Sequence, residues 1–209
     1  MSCMSEQSGG LKLFTNGQLQ GIHEASLKVL EEVGIKTDSP SILQLLANRG
    51  AEVDKKQKSI KIPAQIIEEA LKKAPKGVRL CGRNSKRDIL LEKGKAYFGL
   101  GGTPTPYFRD PAGKIRRPTK EDVATATRLG EILPNISFIM SIAGSYDVPL
   151  ETQYLHDFDV LANNTCKPII YSAPGRKNAA KMLRMAEKIA GGQDQLMDRP
   201  FFTLYNVLC

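Results

Sequence analysis

A run of small residues follows an apolar segment in the stretch "AYFGLGGTPTPYF", residues 96–108. Gly101 and Gly102 come directly after a predicted strand, and Thr103 adds a hydroxyl group. Glycines in this position indicate positive φ or the close approach of a ligand or a neighbouring segment. They therefore either line a substrate-binding edge or only make the turn into the next element. A phosphate-binding loop is disfavoured, because the GxGxxG spacing and the P-loop lysine are both missing.

Polar residues also lie at or just after the ends of the three later predicted strands. Tyr146 offers a ring face to a cation, and Asp147 offers a counter-charge. Asp147 stands before a proline and a helix, so helix capping is the favoured alternative for it. Ser172 and Asn206 lie late in apolar runs, where they either reach a binding site or satisfy backbone groups. We assign substrate binding to these residues as a hypothesis and identify no catalytic residue or metal ligand.

The elements that must position these residues alternate between strand and helix over residues 95–209. Apolar runs predict strands over 96–99, 137–143, 169–173 and 201–207. Helical patterns lie between them, and the first starts with the capping pair Thr119 and Asp122. This spacing is typical of successive βαβ units in a parallel sheet covered by helices. The turn sequence "DPAG" predicts a hairpin inserted after the first of these strands.

Residues 15–94 have a different organisation. A helical pattern over 15–33 stops at Gly34, and Ser39-Pro40 begins a second helix. A strand near residue 60, a third helix and two more short strands follow. We predict a flexible tail over 1–14, a small helical α+β region over 15–94 and an α/β region over 95–209.

Composition narrows the class of protein. The 209 residues carry a formal charge of +8, but aromatic residues make up only 6% and tryptophan is absent, so we expect no nucleic-acid partner. No apolar run is long enough for a membrane span. The polar N-terminus lacks an apolar signal core, which predicts a cytoplasmic protein. Four widely spaced cysteines predict reduced thiols rather than a disulfide framework.

The chain resembles the trimethylamine methyltransferase family, the corrinoid-dependent methylamine and glycine betaine methyltransferases. The resemblance is carried by an ordered series of segments after the tail, of which none is decisive alone. These segments are "IHEASLKVLEEVGI" (22–35), "LLANRGAEVD" (45–54), "IKIPAQIIEEALKKAPKGVRLCGRN" (60–84), "YFGLGGT" (97–103), "RRPTKEDVATATRLGEILPNISFI" (116–139), "DVP" (147–149) and "LANNTCKPIIYSA" (161–173).

The resemblance implies a TIM-like (β/α)8 barrel that transfers a methyl group from a methylated amine to the cobalt of a corrinoid. The corrinoid is carried by a partner protein, so we expect no cofactor bound directly. Members of the family are longer than 209 residues. We therefore expect the N-terminal part of the barrel, about four β/α units, truncated after strand four.

The isolated fragment would lack half of the barrel wall, and we expect it to be inactive or to bind weakly. Its two sheet edges would be open, which predicts a homo-oligomer. Two alternatives to the methyltransferase interpretation remain open. In the first, the chain is a self-assembling half-barrel interaction module without enzymatic activity. In the second, it is a basic nucleic-acid-associated α/β domain.

Overall fold

The structure is a computed structural model that describes residues 13–102 and 104–205. The chain divides into two compact units, and the division falls between Lys76 and Gly77. The two units are described separately below.

The first unit combines three helices with a small antiparallel sheet. Its elements are α1 (Asn16–Lys28), a π-helical turn (Val29–Val33), β1 (Ile35–Lys36), α2 (Pro40–Ala47), β2 (Glu52–Asp54), β3 (Ser59–Lys61) and α3 (Ala64–Lys73). The sheet has the order β1-β3-β2. Ser39 caps α2 through its hydroxyl oxygen, which accepts from the backbone N–H of Ile42. The predicted cap and all three predicted helices are confirmed.

The core of the first unit is small. Leu43, Ala51, Ile60 and Ile62 are buried together. No residue of α1 is buried, and the apolar stripe of that helix is largely exposed at Leu19 and Ile22. The periodicity therefore predicted the helix correctly, although little of its apolar stripe is covered within this unit.

The second unit contains the remaining elements. These are β4 (Gly77–Leu80), β5 (Ile89–Glu92), β6 (Phe98–Leu100), β7 (Phe108–Arg109), β8 (Ile115–Arg116), α4 (Lys120–Ile132), β9 (Ile136–Ile139), α5 (Gln153–Asn164), β10 (Ile169–Tyr171), α6 (Gly175–Ala190), α7 (Gln193–Asp198) and β11 (Phe202–Leu204). Short 3-10 helices cover Ser85–Arg87 and Leu150–Thr152. Helix α7 was not predicted, because it is short and directly follows Gly191-Gly192, which ends α6 as expected.

A parallel sheet of four strands forms the centre of this unit. Its strand order is β6-β9-β10-β11, which is the order along the chain. All three pairings are parallel, and Ile169 stands opposite both Ile139 and Phe202. Helices α4, α5 and α6 connect successive strands, and α5 contacts both of the others. The predicted α/β class is confirmed by this mixed architecture.

The main core lies between the sheet and these helices. Ile139 and Ile169 from the strands pack with Phe158 and Leu161 of α5 and Met182 of α6, and each is at most 1% exposed. Burial on this scale is what holds short parallel strands in place, because they need an apolar cover to be stable.

The predicted hairpin is present, because β7 pairs with β8 across the predicted turn. The two short strands predicted before residue 94 are also present, and the structure shows that they form a second hairpin, β4 with β5. The β4–β5 hairpin belongs to the second unit, whereas the sequence pattern predicts a division between residues 94 and 95. The physical reason is a set of polar contacts, in which Arg199 binds the Asp88 carboxylate at 2.6 Å and Arg83 donates to the carbonyl of Thr165.

Among the helices in the described part of the chain, none has the length and apolar character needed to cross a membrane.

Candidate functional site

The C-terminal ends of the four parallel strands meet at one edge of the sheet. Gly101 and Gly102 follow β6, Ser141 comes shortly after β9, Ser172 follows β10, and Tyr205 follows β11. Sites in parallel α/β proteins gather at this edge, because the loops there converge over the strand ends. It is therefore the candidate functional site.

The two glycines after β6 have different roles. Gly101 has φ +93°, and a Cβ there would stand 2.2 Å from the carbonyl oxygen of Met140. Position 101 therefore requires glycine, because the backbone there lies too close to the segment after β9 for a side chain. Gly102 has φ +144°, and no atom in the described part of the chain, apart from Gly102 and its two neighbours in sequence, lies within 4 Å of a Cβ built there. Of these two glycines, Gly102 is therefore the one that combines a positive φ with open space beside it.

A small cleft connects two of the predicted site residues. Gly102 and Ser172 line it together with Met140, Ser141 and Tyr205. Its volume is about 20 Å³, roughly the space of one water molecule. The cleft marks where the strand ends converge, but its walls do not enclose a substrate-sized cavity. Thr103 and Asn206, also predicted for this site, lie outside the described residues.

Tyr146 lies in the loop after β9 and contacts a cation of the protein itself. The Arg117 guanidinium carbon is 4.6 Å from the centre of the Tyr146 ring and 4.2 Å from the centre of the Tyr107 ring. Arginine stacked on aromatic rings in this way is favourable by about 0.5–1 kcal/mol at exposed sites. The sequence predicts that the Tyr146 ring binds a substrate cation. In the structure this ring already makes a cation–π contact with Arg117, and the predicted contact with a substrate stays a prediction.

Asp147 caps a helix. Its Oδ1 accepts a hydrogen bond of 2.7 Å from the backbone N–H of Lys120, the first residue of α4. The predicted capping role of Asp147 is confirmed, but the sequence pointed to the wrong helix. The helices that follow Asp147 have no side-chain cap, and the capped helix is α4, which precedes this residue in the chain. A carboxylate at a helix N-terminus also interacts favourably with the helix dipole.

A buried carboxylate, Asp157, binds residues close to the candidate edge, and it is not among the site residues predicted from the sequence. Asp157 of α5 is 3% exposed, and its Oδ1 accepts from the backbone N–H and hydroxyl of Ser145. The Tyr171 hydroxyl donates to Oδ2 at 3.1 Å. Asp157 therefore links α5 to β10 and to the loop that carries Tyr146.

Burial sets the electrostatics of this network. Desolvation raises the pKa of Asp157, and the hydrogen bonds from Ser145 and Tyr171 oppose that rise only in part. Burial, together with the neighbouring Asp157 carboxylate, raises the pKa of Tyr171 far above its ordinary value. Tyr171 is consequently a neutral hydrogen-bond donor at physiological pH.

The start of α4 shows the opposite behaviour. The Arg116 guanidinium binds both carboxylate oxygens of Asp122, at 2.6 and 2.7 Å. Asp122 also completes the predicted capping box with Thr119. The pKa of Asp122 is lowered well below its usual range, chiefly by the bond from Arg116. This pair joins the β7–β8 hairpin to α4.

Metal-binding chemistry finds no support in residues 13–102 and 104–205. No group of three or more His, Cys, Asp or Glu side chains there is arranged to hold a metal ion. Cys81 and Cys166 are free thiols.

A sequence signal for Asp157 did exist. Tyr154 and Leu161 are buried on α5, and Asp157 lies three residues after the first and four before the second. A carboxylate at these spacings shares the buried face and must have hydrogen-bond donors. No comparable signal links Arg117 to Tyr107 and Tyr146, because that contact depends on where two separate loops meet.

Comparison with known proteins places the chain in a family. A family model described as trimethylamine methyltransferase (MTTB) matches residues 2–207. The chain therefore belongs to the trimethylamine methyltransferase family, and the resemblance seen in the sequence is confirmed.

Individual relatives agree with this assignment. The chain is 35% identical over 198 residues to trimethylamine methyltransferase MttB of Desulfitobacterium hafniense, a match that covers 93% of this chain and 39% of the relative. It is 28% identical to MttB of Methanosarcina thermophila, covering 95% of this chain and 42% of that protein. It is 25% identical to a glycine betaine methyltransferase of Desulfitobacterium hafniense, covering 90% and 39%. The chain thus spans about two fifths of the length of these curated relatives.

Proposed function

We propose that this chain is the N-terminal part of a methyltransferase that moves a methyl group from a methylated amine to the cobalt of a corrinoid. In this proposal the corrinoid belongs to a separate carrier protein. The observation that carries the proposal is the family match over residues 2–207. The relatives named above include trimethylamine and glycine betaine methyltransferases, so the donor is proposed to be a methylated amine of one of these types.

The fold supports a barrel in the longer protein. Four parallel strands in chain order, joined by helices, are what the first half of a (β/α)8 barrel contains. The match to only about two fifths of each relative agrees with a barrel that continues beyond β11. We therefore propose that the candidate edge forms one half of the barrel mouth.

The residues of this chain would contribute shape rather than acid–base chemistry. Cobalt(I) supplies the nucleophile in such a transfer, so the protein must hold the amine in line and exclude water. Gly102 leaves open space above the strand ends, which fits the close approach of a large flat group. Asp157 and Ser145 would hold in position the loop after β9, which carries Tyr146.

The test uses the longest protein that contains this chain, with its gene sequenced beyond the codon for Cys209. Labelled trimethylamine or glycine betaine is supplied with free cob(I)alamin, and label transferred to cobalt is measured. We expect transfer from one of the two donors. Gly102→Val should lower the rate at least about tenfold, because its side chain would fill the open space. Gly50→Val is the control. It places the same side chain at another positive-φ glycine, which lies far from the candidate edge in the sequence.

Two results would overturn parts of this proposal. Absence of transfer from any methylated amine would remove the enzymatic function. Normal transfer by the Gly102→Val protein, with Gly50→Val equally active, would remove Gly102 from the site.

A second candidate function is self-assembly of the chain as it stands. β6 and β11 are the edge strands of the parallel sheet, and Phe98 on β6 is 69% exposed. Unpaired edge strands can pair with those of another copy. Sedimentation of the 209-residue chain should show dimers or larger species. A sharp monomer boundary at all concentrations would count against this second candidate.

A further inference from the structure

The β7–β8 hairpin contains more basic residues than acidic partners to neutralise them. Residues 108–117, "FRDPAGKIRR", contain four basic residues and one acidic residue. Arg116 is paired with Asp122. Across residues 13–102 and 104–205, no ion pair is formed by Arg109, Lys114 or Arg117, and all three are exposed. Three cations are therefore available on this hairpin for an external anionic group.

Arg117 is held in one orientation by its surroundings. Its guanidinium stacks on Tyr107 and Tyr146, and its Nη1 donates to the carbonyl of Pro106 at 3.2 Å. A guanidinium has five N–H donors, so most of them remain for an external carboxylate. Since the side chain is already ordered, binding through it loses less conformational entropy than binding through a free lysine.

The hairpin itself is also fixed. The two bonds between Arg116 and Asp122 join it to α4. Within the turn, Asp110 Oδ1 accepts from the backbone N–H of Lys114 at 2.8 Å. The three available cations are thus presented by a braced segment with a defined geometry.

The location connects this surface with the candidate edge. The backbone N–H of Tyr146 donates to the carbonyl of Pro118, and that of Thr105 donates to the carbonyl of Ile142. These bonds attach both ends of the hairpin segment to the loop after β9. A protein that approaches the C-terminal ends of the strands would therefore meet the hairpin beside them.

The chemistry favours a carboxylate-bearing protein over a nucleic acid. Nucleic-acid surfaces combine positive charge with aromatic faces free for stacking on bases. Here Arg117 already covers faces of Tyr107 and Tyr146. Guanidinium groups match carboxylates in two-point geometry, and complementary charge guides encounter between proteins.

We propose that the β7–β8 hairpin is a docking surface for an acidic patch on a partner protein, with Arg117 as its central contact. If the proposed function holds, that partner is the protein that brings the corrinoid to the strand ends. This identification is the only step that rests on the proposed function.

The test measures binding of the 209-residue chain to poly-L-glutamate, with oligodeoxythymidylate as the competing polyanion. The triple variant Arg109→Gln/Lys114→Gln/Arg117→Gln removes the three cations. The matched control Lys72→Gln/Lys73→Gln/Lys76→Gln removes the same charge from exposed positions in the first unit. We expect the hairpin variant to weaken poly-L-glutamate binding about tenfold and the control to weaken it less than about threefold.

Arg117→Lys sharpens the result, because it keeps the charge and loses the planar stacked group. We expect it to weaken binding measurably and to lower the unfolding midpoint only slightly, since the lost ring contacts lie at an exposed site. Equal weakening by the hairpin and control variants would overturn the proposal, since net charge alone would explain it. Preferential binding of oligodeoxythymidylate through the hairpin would also overturn it, in favour of a nucleic-acid surface. The assay contains no methyl donor or corrinoid, so its failure leaves the proposed function standing.

Discussion

The helix-covered side of the parallel sheet and its C-terminal edge differ in whether polar groups are buried and hydrogen-bonded within the protein or exposed to solvent. In the interior beneath the helices and just before β10, the buried Lys167 donates to the carbonyls of Gly130 and Leu133, which satisfies the end of α4. Asp157 is likewise buried and accepts from two residues. At the edge, Ser172 is exposed and Gly102 faces open space.

This difference separates stability from recognition within the same strands. A buried polar group without partners is costly, so every such group on the covered side must be matched internally. Groups at the edge are hydrated and can exchange water for a ligand or a partner. We therefore expect mutations on the covered side to act mainly on folding, and mutations at the edge to act mainly on binding.

Phe158 offers the strongest test of the covered side. It is fully buried, and its ring centre lies 5.1 Å from that of Phe202 and 6.3 Å from that of Phe201. Phe158→Ala should lower the free energy of unfolding by about 3–5 kcal/mol, because it leaves a cavity between α5 and β11. Urea unfolding measures this loss. If the alanine variant does not fold, Phe158→Leu should still fold with a smaller loss, and a wild-type midpoint for both would contradict the packing described here.

The paired glycines test the boundary between the two regions. Gly101→Ala should destabilise the chain by about 3 kcal/mol, since its Cβ would overlap the carbonyl oxygen of Met140 at an unfavourable φ. Gly102→Ala has the backbone strain without the overlap and should cost about 1–2 kcal/mol. Equal losses in urea unfolding would show that Gly101 is not required for packing.

Asp157 tests the same comparison through pH, with a smaller effect. Burial raises its pKa above the ordinary value of 3.8, so the folded state binds the proton more tightly than the unfolded state does. Its contribution to stability is therefore present at low pH and is lost as the pH rises through the pKa of the folded state. Asp157→Asn cannot titrate, and its free energy of unfolding should fall less between acidic and neutral pH.

Asp122 is the matched control for this pH profile. Its pKa is lowered, so its contribution is present above the ordinary value of 3.8 and is lost as the pH falls through the pKa of the folded state. Asp122→Asn should therefore lose stability at neutral pH and change little in strong acid. Identical pH profiles for the two variants would contradict the opposite environments assigned to these carboxylates.

The local elements were accessible from the sequence because their signals are local. Apolar periodicity located the helices, and the Thr119–Asp122 capping box marked the start of α4. The "DPAG" turn located the β7–β8 hairpin. The assignment of Gly102 and Ser172 to one edge followed from strand order alone, since parallel strands end on the same side.

The sequence by itself determined the family, the order of the longer helices and the strands, and the α/β class, since each depends on patterns within short segments or along the whole chain. Only the tertiary structure decided that Arg117 stacks on Tyr146, that Asp147 caps α4 and that Asp157 supports the edge. It also placed the β4–β5 hairpin with the second unit, through Arg199 and Asp88. These contacts join residues far apart in the chain, and their partners depend on loop geometry that no local propensity specifies.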